Sequence, residues 1–268
     1  MWTLSFISKE NFLKHVLDTI THYKDVQQPY DLARFNQNII DPVKLLFDKS
    51  VYGLSWDDIV KLEIARQRDK SNNNDIGYFH QRFFQYVANC EVPANGHKGG
   101  WDVIVEFPKG LSIGDSGFAA TVSKVYVEMK NKHNTMNSSG AAKTYIKMQH
   151  QLLEDDKCAC FLVEAIAKCS QNIKWKTTVD GKRVEHNLIR RVSIDEFYKL
   201  VTGQEDAFYQ MCMVLPKVIE EALGANPTAV SHDSVIDELR QQAKIKNISM
   251  EMAAFLLGFS TYYGFRNL

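Results

Sequence analysis

Along the first 90 residues apolar positions recur at intervals of three and four, the period of helices with one buried face. Ser8-Lys9-Glu10-Asn11 can cap a helix running to about Tyr23, and Asp41-Pro42 opens another with Val43, Leu45 and Leu46 apolar. Ser55-Trp56-Asp57-Asp58 caps a third stretch, with Ile59, Leu62, Ile64 and Ala65, predicted to last to about Asp69. The polar run Ser71-Asn72-Asn73-Asn74-Asp75 reads as a loop. A further helix from Ile76 brings Phe79, Phe83, Tyr86 and Val87 onto one side.

The period then changes to two. Residues 101–107 alternate, with Val103, Val105 and Phe107 on one face and Asp102, Ile104 and Glu106 on the other. Residues 108–117 read as a turn or loop. Residues 122–130 alternate again, setting Val125, Val127 and Met129 opposite Tyr126, Glu128 and Lys130. The polar stretch 131–140 leads into a helix from about Ala141 to Leu153, and residues 158–167 form a nearly continuous apolar run, the mark of a buried central strand. Val179-Asp180-Gly181-Lys182 signals a hairpin, and from Ser193 the pattern is helical to the end, with loops near Gly203 and at 224–227. Helices, a two-strand unit, a crossover helix and another buried strand predict a mixed α/β core flanked by helices. With no evident linker or repeat, the expectation is one domain: a helical region 1–90, an α/β core at about 95–192 and a helical region 193–268.

A chain of 268 residues, 45% hydrophobic and 24% charged, has an ordinary globular composition and length enough for a large core. No apolar stretch approaches a membrane span, and the N-terminal residues lack the make-up of a secretion signal. Five cysteines offer no disulfide framework, so a reducing cytoplasm is the expected setting. Net charge is zero, which gives no global argument for nucleic acid. Its distribution says more: residues 121–191 hold 13 Lys/Arg against 7 Asp/Glu, a basic middle suited to a local phosphate-binding face.

Inside that middle lies the chemistry. Glu128 and Lys130, at i and i+2 of a strand, share a face and lie roughly 6.5 Å apart. Asp102 supplies a second carboxylate from the strand before. Hydrolysing a phosphodiester needs an activated water, neutralised phosphate charge and help for the leaving oxygen, and a divalent cation can serve all three needs. Mg²⁺ takes hard oxygen ligands, usually one or two carboxylates plus water and phosphate, so Asp102 and Glu128 are candidate ligands and Lys130 a candidate catalytic amine. Glu-x-Lys alone is common on solvent-facing strands; the apolar opposite face, the upstream Asp102 and the following polar loop and helix raise it above chance. Glu63, at i, i+4 with Gln67 on a preceding helix, is a third candidate carboxylate, with a surface position the competing reading.

Asp102 with Glu128-Met129-Lys130 resembles the PD-(D/E)xK nuclease superfamily, although Trp101 stands where the motif has Pro and the second acid is Glu. The longer run Val127-Glu128-Met129-Lys130-Asn131-Lys132-His133-Asn134-Thr135-Met136-Asn137 narrows the match. With Asp69-Lys70-Ser71 and Asn74-Asp75-Ile76-Gly77-Tyr78-Phe79-His80-Gln81, it resembles type II restriction endonucleases of the group cutting GGNCC-type sites. The resemblance covers most of residues 40–220. It implies a restriction-endonuclease-like fold and a Mg²⁺-dependent homodimer that cuts both strands of a short palindrome in double-stranded DNA. It also implies a companion methyltransferase that protects the host.

Candidate DNA contacts follow the catalytic strand. Lys132 suits a phosphate or guanine, Asn134 and Asn137 an adenine or a phosphate, and Lys143 and Lys147 share one side of the next helix. His133 and His80 are the nearest histidines, each a candidate for contact with phosphate or backbone. Cys158, Cys160 and Cys169 lack the spacing of a zinc site and read as core. Trp175 and Tyr262-Tyr263-Gly264-Phe265 fit aromatic packing better than base stacking. Two alternatives stay open on the residues alone: a structure-specific or repair nuclease with the same site, and a non-enzymatic α/β DNA-binding protein.

Overall fold

A computed structural model describes residues 2–115, 117–224 and 232–260. In chain order the helices before the sheet are α1 (Lys9–Gln27), α2 (Leu32–Asn36), α3 (Pro42–Tyr52) and α4 (Trp56–Phe83). Strands β1 (Cys90–Glu91), β2 (Val103–Asp115) and β3 (Phe118–Lys132) precede helix α5 (Ser138–Glu154). Strands β4 (Cys158–Ile166), β5 (Asn172–Val179) and β6 (Lys182–Ser193) complete the sheet. Helices α6 (Ile194–Thr202), α7 (Ala207–Leu223), α8 (Val235–Lys246) and α9 (Met250–Phe259) follow. The predicted α/β class, a mixed sheet with helical regions before and after it, is what the chain adopts.

The chain divides into two compact units, residues 1–20 with 76–225 and residues 21–75 with 226–268, so the boundary falls within α1 and α4. The smaller unit is helical. Tyr30, Phe35, Ile59 and Ile64 form its core with Val235 and Leu239, and Arg68 ties the two chain segments together through Asp233 at 2.7 Å. Local signals set the helix starts: Asp41 caps α3 by accepting from the amides of Val43 and Lys44, with Pro42 in the first turn. Ser55 and Asp58 cap α4 reciprocally.

The larger unit holds a six-stranded sheet in the order β1-β2-β3-β4-β6-β5. β3, β4 and β6 run parallel and the other pairs antiparallel, with α5 crossing over from β3 to β4. One face, built by Val103, Val125, Val127, Phe161, Val163 and Val192, packs against Phe12, Phe83, Phe84, Phe197 and Tyr198. The other carries Ile104, Cys160, Leu162 and Ile189 beneath Tyr145 and Met148 of α5. Ile104 is therefore buried, because the crossover helix needs an apolar floor, whereas Glu106 farther along the same face is exposed.

Two expected loops are regular structure instead. The asparagine run does not interrupt the helix: α4 continues for 28 residues. The Asn73 side-chain amide donates to the Asp69 carbonyl and carboxylate, both at 2.9 Å, so a side chain able to compete with helical bonds is satisfied within the helix. Residues 108–115 are strand, not loop. β2 pairs with β3 out to Asp115↔Phe118, with an irregularity between Glu106 and Leu111 that absorbs Pro108 and Gly110. The central strand, the crossover helix and the 179–182 hairpin are as expected, the last with Asp180 and Gly181 both at positive φ.

Candidate active site

The register of the β2–β3 hairpin decides the geometry. Val103 pairs with Val127, and Asp102, the residue just before β2, lies near enough to Glu128 to feel its charge. The Asp102 amide donates to the Val127 carbonyl at 2.9 Å, and its carboxylate accepts from the Met129 amide at 2.7 Å. Gln81 of α4 donates to the Asp102 carbonyl at 3.3 Å. One carboxylate is thus anchored on the strand that carries the other.

Glu128 sits between two amines. Lys130 Nζ lies 2.7 Å from its Oε1 and Lys147 Nζ 2.9 Å from its Oε2. Lys130 reaches it along β3, as alternation dictates; Lys147 comes down from α5. Lys147 also donates to the Gly100 carbonyl at 2.7 Å and lies 4.0 Å from the centre of the Trp101 ring. Gly99 and Gly100 at φ of 72° and 68° make the turn that presents that carbonyl, a conformation glycine adopts freely. Trp101, buried against Tyr126 and donating to Gln151 Oε1 at 2.9 Å, fixes the entry to Asp102.

The two carboxylates differ electrically. Burial pushes the Asp102 carboxyl above its ordinary range, and the charge of Glu128 adds to this against the Met129 amide and the lysines. Burial acts the same way on Glu128, but Lys130 and Lys147 together outweigh it and hold that carboxyl below its usual value. Two hard oxygen donors lie near each other here, and the charge of one is already offset by paired ammonium groups. This donor set suits a divalent cation that completes its shell with water and phosphate. Among the described residues no group of three or more His, Cys, Asp or Glu is placed to hold a metal.

The other candidates divide. Glu63 lies in the smaller unit, buried, with Arg66 on both oxygens and Gln67 at 3.3 Å. Asn137 caps α5, accepting from the Gly140 amide at 2.8 Å. Lys132 and Lys143 are exposed and make no ion pair among the described residues, and Asn134 is exposed in the turn after β3. His80 is on α4 with Nδ1 buried and without a partner among the described residues; burial lowers its pKa to about 4. His133 is half-buried and holds the chain to β4 through the Ile166 carbonyl at 3.0 Å. Cys158 and Cys160 are core residues, whereas Cys169, expected in the core, is exposed; Trp175 is buried against Tyr145, and Tyr262, Tyr263, Gly264 and Phe265 lie outside the described residues.

Sequence reasoning missed a second pair. Glu164, in parallel register with Lys130, is 1% exposed and takes a bidentate contact from Arg191 at 2.6 and 2.9 Å. Arg191 also donates to the His133 carbonyl at 2.9 Å, pinning the turn that follows β3. A lone carboxylate in the apolar run 158–167 was the available signal, since buried acids are rare unless paired.

A mixed sheet covered by helices, with neighbouring carboxylates and a lysine on its central strands, is the make-up of a restriction-type nuclease. The chain belongs to the Eco47II restriction endonuclease family, whose model matches residues 4–224. It is 28% identical over 273 residues to the type II restriction enzyme Sau96I of Staphylococcus aureus, covering 98% of each chain. To the type II restriction enzyme Eco47II of Escherichia coli it is 27% identical over 237 residues, covering 83% of this chain and 89% of the relative. The protein is therefore a type II restriction endonuclease, and no helix among its described residues is long and apolar enough to cross a membrane.

Proposed function

We propose that this endonuclease cuts double-stranded DNA at a short GGNCC-type palindrome, with Mg²⁺ held by Asp102 and Glu128 and with Lys130 as the catalytic amine. The observation that carries the reading is the proximity of Asp102 and Glu128 at the end of one hairpin, with the Lys130 ammonium 2.7 Å from Glu128. A cation bound there would supply charge neutralisation on the phosphate and a water more readily deprotonated. Asp102, fixed by the Met129 amide, and Glu128, kept ionised by its lysines, orient that position. Lys130 donates to the phosphoryl oxygens as negative charge grows on them. Water adds to phosphorus, the bond to the leaving sugar oxygen breaks, and that oxygen takes up a proton.

Lys132, Lys143 and Asn134 are exposed around this end of β3 and suit phosphate or base contact; the capping bond of Asn137 uses its oxygen and leaves its amide hydrogens for DNA. A two-fold homodimer matches the symmetry of a palindrome, and a methyltransferase specific for the same site would protect the host DNA. Digestion of a plasmid of known sequence with Mg²⁺, followed by sequencing of the ends, tests the whole reading. Discrete fragments ending at GGNCC-type sites are expected; a smear or structure-dependent nicking would instead place the chain with shape-specific nucleases.

A further inference from the structure

Lys147 does more than line the site. Its ammonium touches Glu128 Oε2, the Gly100 carbonyl and the Trp101 face together, three contacts that fix a side chain otherwise costly to order. It arrives from a different element than Lys130, and Lys130 alone already pairs with the other oxygen of Glu128. The strand chemistry has no evident need for this second amine.

We propose that Lys147 is a tethered counter-cation: a positioning residue that occupies Glu128 Oε2 and so keeps the affinity of the DNA-free enzyme for a divalent cation low. This rests on the reading of Asp102 and Glu128 as cation ligands. Before a cation arrives, two ammonium groups offset Glu128 and keep it directed into the site. An incoming dication must either displace Lys147 from Oε2 or bind beside a like charge, and both weaken binding. The Gly100 carbonyl and the Trp101 face give the released ammonium a place to stay, so displacement need not leave it unsatisfied. A bound DNA phosphate would add the negative charge that tips the balance toward the cation, coupling tight metal binding to the presence of substrate.

The test is direct Mn²⁺ binding, by calorimetry or electron paramagnetic resonance, to the full-length protein without DNA. Wild type, Lys147→Met, Lys147→Arg and Glu128→Gln are compared after their folding is verified by circular dichroism. Lys147→Met should bind Mn²⁺ roughly ten-fold or more tightly than wild type, because a like charge is gone. Lys147→Arg should stay near wild type, because the charge remains. Unchanged or weaker binding by Lys147→Met would overturn the proposal, as would tightening by Lys147→Arg equal to that of Lys147→Met. Glu128→Gln separates the two levels: if it binds Mn²⁺ as wild type does, the ligand reading fails and the proposal with it. Should Lys147→Met not fold, Lys147→Gln, which can still donate to Gly100, carries the same comparison.

Discussion

Asp102 is held where a carboxylate is least comfortable: buried, near another acid, with one backbone amide as its fixed donor. Such a position costs stability, and buried, perturbed acids of this kind cluster at functional sites. Asp102→Asn keeps an acceptor for the Met129 amide and removes the buried charge. We expect its melting temperature to equal or exceed that of wild type while cleavage falls by at least about a thousand-fold; normal cutting would remove Asp102 from the site. Asp102, Glu128 and Lys130 were legible because strand alternation is strict enough to place side chains from numbering alone. Lys147 was visible as a basic residue on the right helix, but its partner was not, since no periodicity tells which way a helix is rotated over a sheet. Glu164 and Arg191 escaped for a similar reason: they meet across β4 and β6, neighbours that only tertiary pairing makes.

Elements were legible where a single force shaped them. β4 and the two faces of β3 followed from hydrophobic pattern alone. The asparagine run in α4 and the strand character of 108–115 were not legible: Asn73 is satisfied one turn back within the helix, and pairing with β3 makes the second segment a strand. Helix α5 matters most to the site, since it carries Lys147 and covers the face bearing Glu128. Its start depends on Asn137, whose oxygen holds the Gly140 amide. Asn137→Ala should cost about 1 kcal/mol of stability in a denaturant titration, whereas Asn137→Ser, also a good cap, should cost only a few tenths. If Asn137→Ser retains stability but loses discrimination between cognate and random DNA, the residue touches DNA as well as capping the helix.

For the whole molecule, pH will act through two histidines whose pKa is lowered by burial, His15 and His80. His15 is 3% exposed, and its Nε2 lies 2.9 Å from the Phe79 carbonyl, which requires that nitrogen to carry the proton of a neutral ring. Burial lowers its pKa to about 4, against 6.5 when exposed. The unfolded chain therefore takes up a proton between those values while the folded one does not, so stability is complete above about pH 6.5 and declines as pH falls toward 4. The loss from this one group is about 3 kcal/mol at most. Replacing His15 by Gln should reduce but not abolish the dependence of unfolding free energy on pH across that window, because burial lowers His80 to about 4 as well; an unaltered slope would assign it to other groups. The hairpin that brings Asp102 near Glu128 has a consequence in time as well as in space. Adjacent strands joined by a short turn pair early, whereas β3, β4 and β6 must wait for longer closures. The two acids are therefore expected to meet before the parallel pairings of β3, β4 and β6 close, with Lys130, on the same strand as Glu128, at hand to offset their repulsion.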